Sequence, residues 1–215
     1  IERAQELMYH LSRLAAADRI PELPVYLDSP MAVNVTEVFR RYHDFLNEEI
    51  WEMLESGDRP FRFEGLKLVR SVEESKKINK LKRPAVIMAG SGMCTGGRIK
   101  HHLRNNLVRS QSTVLFVGYQ SVGTLGRQIL EGADEVRIHG RKWPVRAGVA
   151  QIQGLSAHAD RSGLLKWLGS IKQAPRQIFL THGEENAAKE LAAEIKREMD
   201  WPVTVPKYRQ SVELD

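Results

Sequence analysis

Cysteine is nearly absent. Cys94 is the only one in 215 residues, so no intrachain disulfide can form, which fits a reducing compartment. No apolar run approaches the roughly 20 residues of a membrane-spanning helix, so no membrane partner is expected. The opening residues, Ile1-Glu2-Arg3-Ala4-Gln5, lack the basic, then apolar, then small order of a secretion signal. Together these shortages predict a cytoplasmic location. Internal repeats and low-complexity stretches are missing too. Basic residues are scattered without a block, so the net charge of +5 leans only weakly towards a polyanionic partner. An initiator Met is also lacking. The chain opens inside an amphipathic helix, with Ala4, Leu7, Met8, Leu11, Leu14 and Ala15 on one face, and is expected to be a piece of a longer protein.

What is present is a globular composition, 42% apolar and 27% charged, on a chain long enough to bury a real core. Helix and strand patterns alternate almost throughout. Strands are predicted near 24–27, 66–69, 85–89, 113–117, 136–138, 145–152, 177–180 and 203–205. Between them lie helices near 31–42, 45–55, 98–107, 124–130, 161–171 and 185–199, and one that begins at Ser71. Ser29-Pro30 reads as a helix cap followed by Pro at the first helical position, and Ser71 with Glu74 reads as a capping box. Such alternation implies an α/β fold with a mostly parallel sheet covered on both faces. The 141–144 segment is the candidate domain boundary.

The stretch Gly90-Ser91-Gly92-Met93-Cys94-Thr95-Gly96-Gly97 lies between a buried strand and a helix. Glycines there let backbone N–H groups approach an anion, and the helix N-terminus adds a favourable dipole. Arg98, Lys100, His101 and His102 add positive charge just beyond. The third glycine falls one residue late for a dinucleotide loop, and Arg98 stands where a P-loop needs Lys. Phosphate contact without nucleotide specificity is one reading; a tight turn with glycines for clearance is the plain one. A second turn, Gly118-Tyr119-Gln120-Ser121-Val122-Gly123-Thr124, follows the next strand, with Thr124 where a P-loop needs Lys. Two such turns on consecutive strands would line one sheet edge, which suits a phosphodiester backbone, and Tyr119 could stack on a base or simply pack.

Two histidines end strands near the C-terminus. His158 lies in Gly154-Leu155-Ser156-Ala157-His158-Ala159-Asp160 and His182 in Leu180-Thr181-His182-Gly183-Glu184. Strand ends are where α/β proteins gather ligands and catalytic groups, and imidazole can bind metal or move protons. Asp160 reads as the N-cap of the next helix, whereas His158 has no evident structural duty. A Ser/His/Asp triad among residues so close in sequence is disfavoured, and no nucleophile elbow surrounds Ser156. Neutral imidazole at 182 could hold zinc or be structural. His10 and His43 are expected on helix surfaces, His139 in a turn.

Taken in order, Arg3-Ala4-Gln5-Glu6-Leu7, Asp28-Ser29-Pro30-Met31-Ala32, the 90–97 loop, residues 156–160 and residues 181–184 resemble the β-CASP family of metallo-β-lactamase-fold ribonucleases. That family includes ribonuclease J and the endonuclease subunit of the mRNA 3′-end cleavage machinery. The resemblance implies a β-CASP domain over residues 1–145. Residues 146–215 would then be the C-terminal closing segment of a metallo-β-lactamase αββα domain. His158 would help protonate the leaving group, and His182 would complete the coordination of one zinc. Family members that act on RNA carry His at that place, where the DNA-processing branch has Val, so RNA is the implied substrate. Ser156 matches a residue that helps hold a substrate phosphate in exonucleolytic relatives. Ser91, Gly92, Thr95, Gly96, Gly97 and Arg98 would contact or steer the RNA strand.

The departures are specific. The family's H-x-H-x-D-H zinc motif, a further His, a bridging Asp and the first acidic β-CASP motif are not among these residues, and Glu2 stands where relatives usually have Gly. Two-metal hydrolysis needs ions about 3.5–4 Å apart, which His182 alone cannot hold. The expectation is therefore a zinc-dependent ribonuclease of which this chain is the C-terminal half. Two zinc ions would be completed by an N-terminal half of the same protein, and the fragment alone would be inactive. A homodimer is compatible with this reading. The rivals are a catalytically silent RNA-binding scaffold and a Rossmann-like nucleotide-binding domain.

Overall fold

The computed structural model describes residues 2–55, 57, 61–156 and 158–213. It divides into two compact units, Ile1–Ser156 and Ala157–Asp215. The first unit opens with helix α1 (Glu2–Ala16), whose Met8 is fully buried in a cluster with Val25, Leu27, Val33, Phe61 and Met88. Strand β1 (Val25–Leu27) is buried at all three positions, as its continuous apolar run requires. It is the central strand of a parallel sheet ordered β2-β1-β3, flanked by β2 (Leu66–Leu68) and β3 (Val86–Met88) in matching register.

Helix starts follow local chemistry. Ser29 caps α2 (Pro30–Arg41) by accepting from the Ala32 amide, with Pro30 at the first helical position. Helix α3 (Glu48–Glu55) follows a single 3-10 turn, His43–Phe45. Ser71 and Glu74 form the expected reciprocal capping box at α4 (Val72–Ile78).

Helix α5 (Ile99–Asn106) leads to β4 (Thr113–Phe116) and then α6 (Leu125–Leu130). The 141–144 segment is itself a strand. As β6 (Arg141–Pro144) it pairs antiparallel with β5 (Glu135–Ile138) through the two-residue turn His139-Gly140, both at positive φ. Strand β7 (Gly148–Gln151) then returns to pair parallel with β4. Leu103, Leu107, Phe116, Ile129, Val136 and Ile138 form the core beneath these elements. Among the described residues the strands form, rather than one sheet, a three-stranded sheet and three two-stranded ones. Alternating patterns identify strands, but each strand's partner is chosen by tertiary packing.

The second unit contains α7 (Arg161–Gly169), β8 (Ile178–Phe179), α8 (Glu185–Met199) and β9 (Val203–Thr204), with β8 and β9 parallel. Asp160 caps α7 by accepting from the Gly163 amide at 2.7 Å. Among the described residues, no helix is long and apolar enough to cross a membrane.

Candidate functional site

The 90–97 loop leaves the buried end of β3 and closes on itself through Ser91. The Ser91 amide donates to the Gly96 carbonyl at 3.1 Å, and the Gly96 amide donates back to Ser91 Oγ at 3.1 Å. Thr95 Oγ1 lies 3.1 Å from the same hydroxyl. Gly97 is at φ +76, and a Cβ there would stand 2.4 Å from the Gly90 carbonyl oxygen, so only glycine fits. Gly92 and Gly96 differ, because open space surrounds the position of their absent Cβ atoms. The N–H groups of Gly92, Thr95 and Gly97 make no hydrogen bond among the described residues. A bare loop with uncommitted amides can accept an anion at close range. Cys94 takes no part in such chemistry. It is buried in the core, and burial pushes its thiol up to about 11, so it stays protonated at neutral pH.

Behind the loop lies a buried polar cluster that the sequence patterns do not announce. Asp28, with no exposed surface, sits just past β1. Arg98 Nη1 donates to Asp28 Oδ1 at 2.6 Å. Ser75 Oγ donates to Oδ2 at 2.6 Å, and His102 Nε2 lies 2.6 Å from the same oxygen. His102 Nδ1 is 3.1 Å from Asn79 Oδ1. Burial alone would raise the Asp28 pKa. The hydrogen bonds from Ser75, His102 and Arg98 outweigh it and hold the carboxyl below its ordinary range. Arg98 also donates to the carbonyls of Val69 and Arg70. Its guanidinium thereby ties the first residue after the loop to the ends of β1 and β2.

The second glycine-rich turn meets the first through Gln120. The buried Gln120 Nε2 donates to the Gly92 carbonyl at 3.0 Å and to those of Gly118 and Tyr119. Ser121 Oγ donates to Met93 Sδ, and the Gly126 amide donates to the Met93 carbonyl at 3.1 Å. A Cβ on Gly126 would stand 1.8 Å from Gln120 Oε1, so that glycine makes room for the clamp. The turns are thus joined although β3 and β4 belong to different sheets. Thr124 caps α6 as expected, and Tyr119 is half exposed.

Ser156 ends the first unit with an exposed side chain; Ala157 lies outside the described residues. His158 and His182 belong to the second unit, and both are exposed. His158 occupies a bend just before the Asp160 cap. Bonds from the Gly163 amide and the Ser162 hydroxyl hold the Asp160 carboxyl low. His182 follows β8 and adopts φ +64, a left-handed backbone uncommon for a residue with a Cβ. Such outliers gather at functional sites. The neighbouring Gly183 is under no such pressure, since a Cβ there would make only ordinary contact with Ala188. Among the described residues, no group of three or more His, Cys, Asp or Glu side chains gathers as a metal site. The donors present therefore do not by themselves fit a zinc ion.

The remaining histidines divide as follows. His10 is exposed on α1 against Tyr9, and His139 stacks on His101 at 4.8 Å. The side chains of His43 and Glu2 lie outside the described residues.

Residues 4–129 match the family model of the Beta-Casp domain. The chain belongs to the β-CASP family. Residues 142–206 match a second model, described as the Zn-dependent metallo-hydrolase RNA specificity domain. The β-CASP chain is similar to ribonuclease TTHA0252 of Thermus thermophilus, with 42% identity over 185 residues, covering 86% of this chain and 42% of that protein. It is also similar to the transcription termination factor FttA of Methanocaldococcus jannaschii, with 35% identity over 220 residues, 100% of this chain and 34% of that protein. An RNase J-like protein of the same organism is 31% identical over 206 residues, 96% of this chain and 46% of its own length. The chain thus spans less than half the length of these relatives.

Within this β-CASP chain, hydrogen bonds bring together Ser91, Thr95 and Gly96, while Gly97 closes the loop against Gly90. Sequence reasoning missed Asp28 and His102 as partners and Gln120 as a clamp. One signal was available: Arg98 and His102 are four residues apart, the spacing that puts two side chains on one helix face. Their acceptor, 70 residues or more away in the chain, carried no local mark.

Proposed function

We propose that this β-CASP chain is the RNA-handling part of a ribonuclease that hydrolyses phosphodiester bonds. The observation that carries the reading is the 90–97 loop, whose amides at Gly92, Thr95 and Gly97 have no acceptor among the described residues and whose surface at Gly92 and Gly96 is bare. Ribonuclease-named relatives and the RNA-specificity model support it. In this reading Ser91, Gly92, Thr95, Gly96 and Gly97 receive a phosphate, and Arg98 acts from behind by holding the loop on Asp28. Ser156 holds a further phosphate. As water adds to phosphorus, releasing a proton to solvent, and the bond to the 3′ oxygen breaks, His158 gives that oxygen its proton. His182 is one zinc ligand, the others coming from sequence outside this chain. The division at 145/146 and a cytoplasmic location belong to the same proposal.

The test takes the protein in its full natural length, with labelled single-stranded RNA and DNA of matching sequence. RNA cleavage is expected, falling by about 10²–10⁴-fold in His158→Ala, the usual worth of a general acid. His182→Ala should lose bound zinc by elemental analysis. RNA binding without cleavage or zinc would make the protein a scaffold. Cleavage by these 215 residues alone with added zinc, surviving His158→Ala, would overturn the assigned roles.

A further inference from the structure

Arg3 is a cation only partly used by its own fold. It stands on α1. Its Nε donates to the Leu155 carbonyl at 2.9 Å, which holds the half-buried side chain across the chain from α1 to the segment after β7. The guanidinium then lies directly on Gly118. A Cβ there would stand 2.4 Å from Arg3 Nη1 and 2.7 Å from Cζ. Gly118 itself is pinned, since its carbonyl accepts from both Gln120 Nε2 and Gln151 Nε2 at 3.2 Å. Beyond Nε, the two terminal nitrogens of Arg3 make no hydrogen bond among the described residues, and no carboxylate pairs with them. A fork of N–H donors is therefore held at the C-terminal end of β4, where α/β folds gather ligands, with its terminal nitrogens left to solvent or to a ligand.

We propose that Arg3 is a phosphodiester-binding residue, donating its terminal N–H pair to the oxygens of one RNA phosphate. Gly118 is kept small to admit the guanidinium. The chemistry suits the group, because a planar guanidinium matches a phosphate in a two-pronged geometry that an ammonium cannot copy. The proposal rests on the RNA reading above and adds to it a contact on the other glycine-rich turn, linked to the 90–97 loop through Gln120.

The experiment measures binding of a short single-stranded oligouridylate by fluorescence anisotropy over a range of salt concentrations, using the full natural-length protein. Arg3→Ala should weaken binding by about tenfold, the scale of one hydrogen-bonded charge. The slope of log affinity against log salt should shrink by about 0.7, the share of one phosphate on a single strand. Arg3→Lys should restore the slope but not the affinity. Gly118→Ala should copy Arg3→Ala, because its methyl displaces the guanidinium, and the double variant should be no worse than either single one. Thermal unfolding of each variant identifies any that fail to fold, and Arg3→Lys and Gly118→Ala then decide. Wild-type affinity and slope in folded Arg3→Ala or Gly118→Ala would sink the Arg3 assignment alone. No salt-dependent binding by the wild type would sink the RNA reading and this proposal with it.

Discussion

Asp28 shows how a carboxylate stays charged without touching water. Arg98, His102 and Ser75 all converge on its two oxygens, and the backbone amide of Asp28 is spent on the Met88 carbonyl. A buried ion pair of this kind adds little over an apolar core, but removing one partner strands the others. Asp28→Ala is therefore expected to destabilise the first unit by about 3–5 kcal/mol, read from the midpoint of denaturant unfolding. A loss below ~1 kcal/mol would mean that solvent already reaches the cluster. The pH dependence has a definite sign. Because the folded pKa lies below the ordinary Asp value of ~3.9, the stabilisation is complete above that value and fades as pH falls through the folded pKa. Asp28→Asn should flatten the loss of stability in that acid window. An unchanged acid limb would assign it to other carboxylates. None of this was visible residue by residue. Asp28 reads in sequence as the neighbour of a helix cap and the first residue of a family motif, and neither points to its partners, 47 to 74 positions away.

At the level of elements, chemistry confined to a few neighbouring residues was legible, and chemistry that depends on approach was not. Ser29, Ser71, Thr124 and Asp160 cap the helices expected of them because a cap bonds an amide three residues on. The 90–97 stretch was legible as a turn, but not which of its glycines is indispensable. Gly97 combines a positive φ with a Cβ position 2.4 Å from a backbone oxygen, whereas Gly92 faces open space. Gly97→Ala should cost at least about 1–3 kcal/mol in unfolding free energy. Gly92→Ala should change it by less than ~0.5 kcal/mol. Equal effects would show that the loop relaxes around either methyl group.

Across the whole molecule, the order of the motifs carried the family, while the partition into units and small sheets required the packed chain. Apolar burial is unequal between the units. Among the described residues of the second unit, only Leu168, Ala188 and Ile195 are buried hydrophobics, and its only sheet is the β8–β9 pair. Trp167 on α7 is 64% exposed, and Leu164 and Ile171 are also exposed. The described residues of the first unit, by contrast, contain three clusters of buried residues, which include Met8, Leu107 and Val69 respectively. A small body with so little apolar surface withdrawn from water has little to offset its conformational entropy, and so it opens more readily. An exposed apolar helix face also suits a segment that completes a larger domain, as the proposed division requires. Amide hydrogen exchange on these 215 residues is therefore expected to rank the units. The amides of β1 and α5 should be the slowest, and those of β8 and β9 should exchange at least about tenfold faster through local opening. Equal protection in β8 and β1 would show that the shorter unit draws stability from contacts beyond its own core, and would remove the argument that it is an incomplete piece of a larger domain.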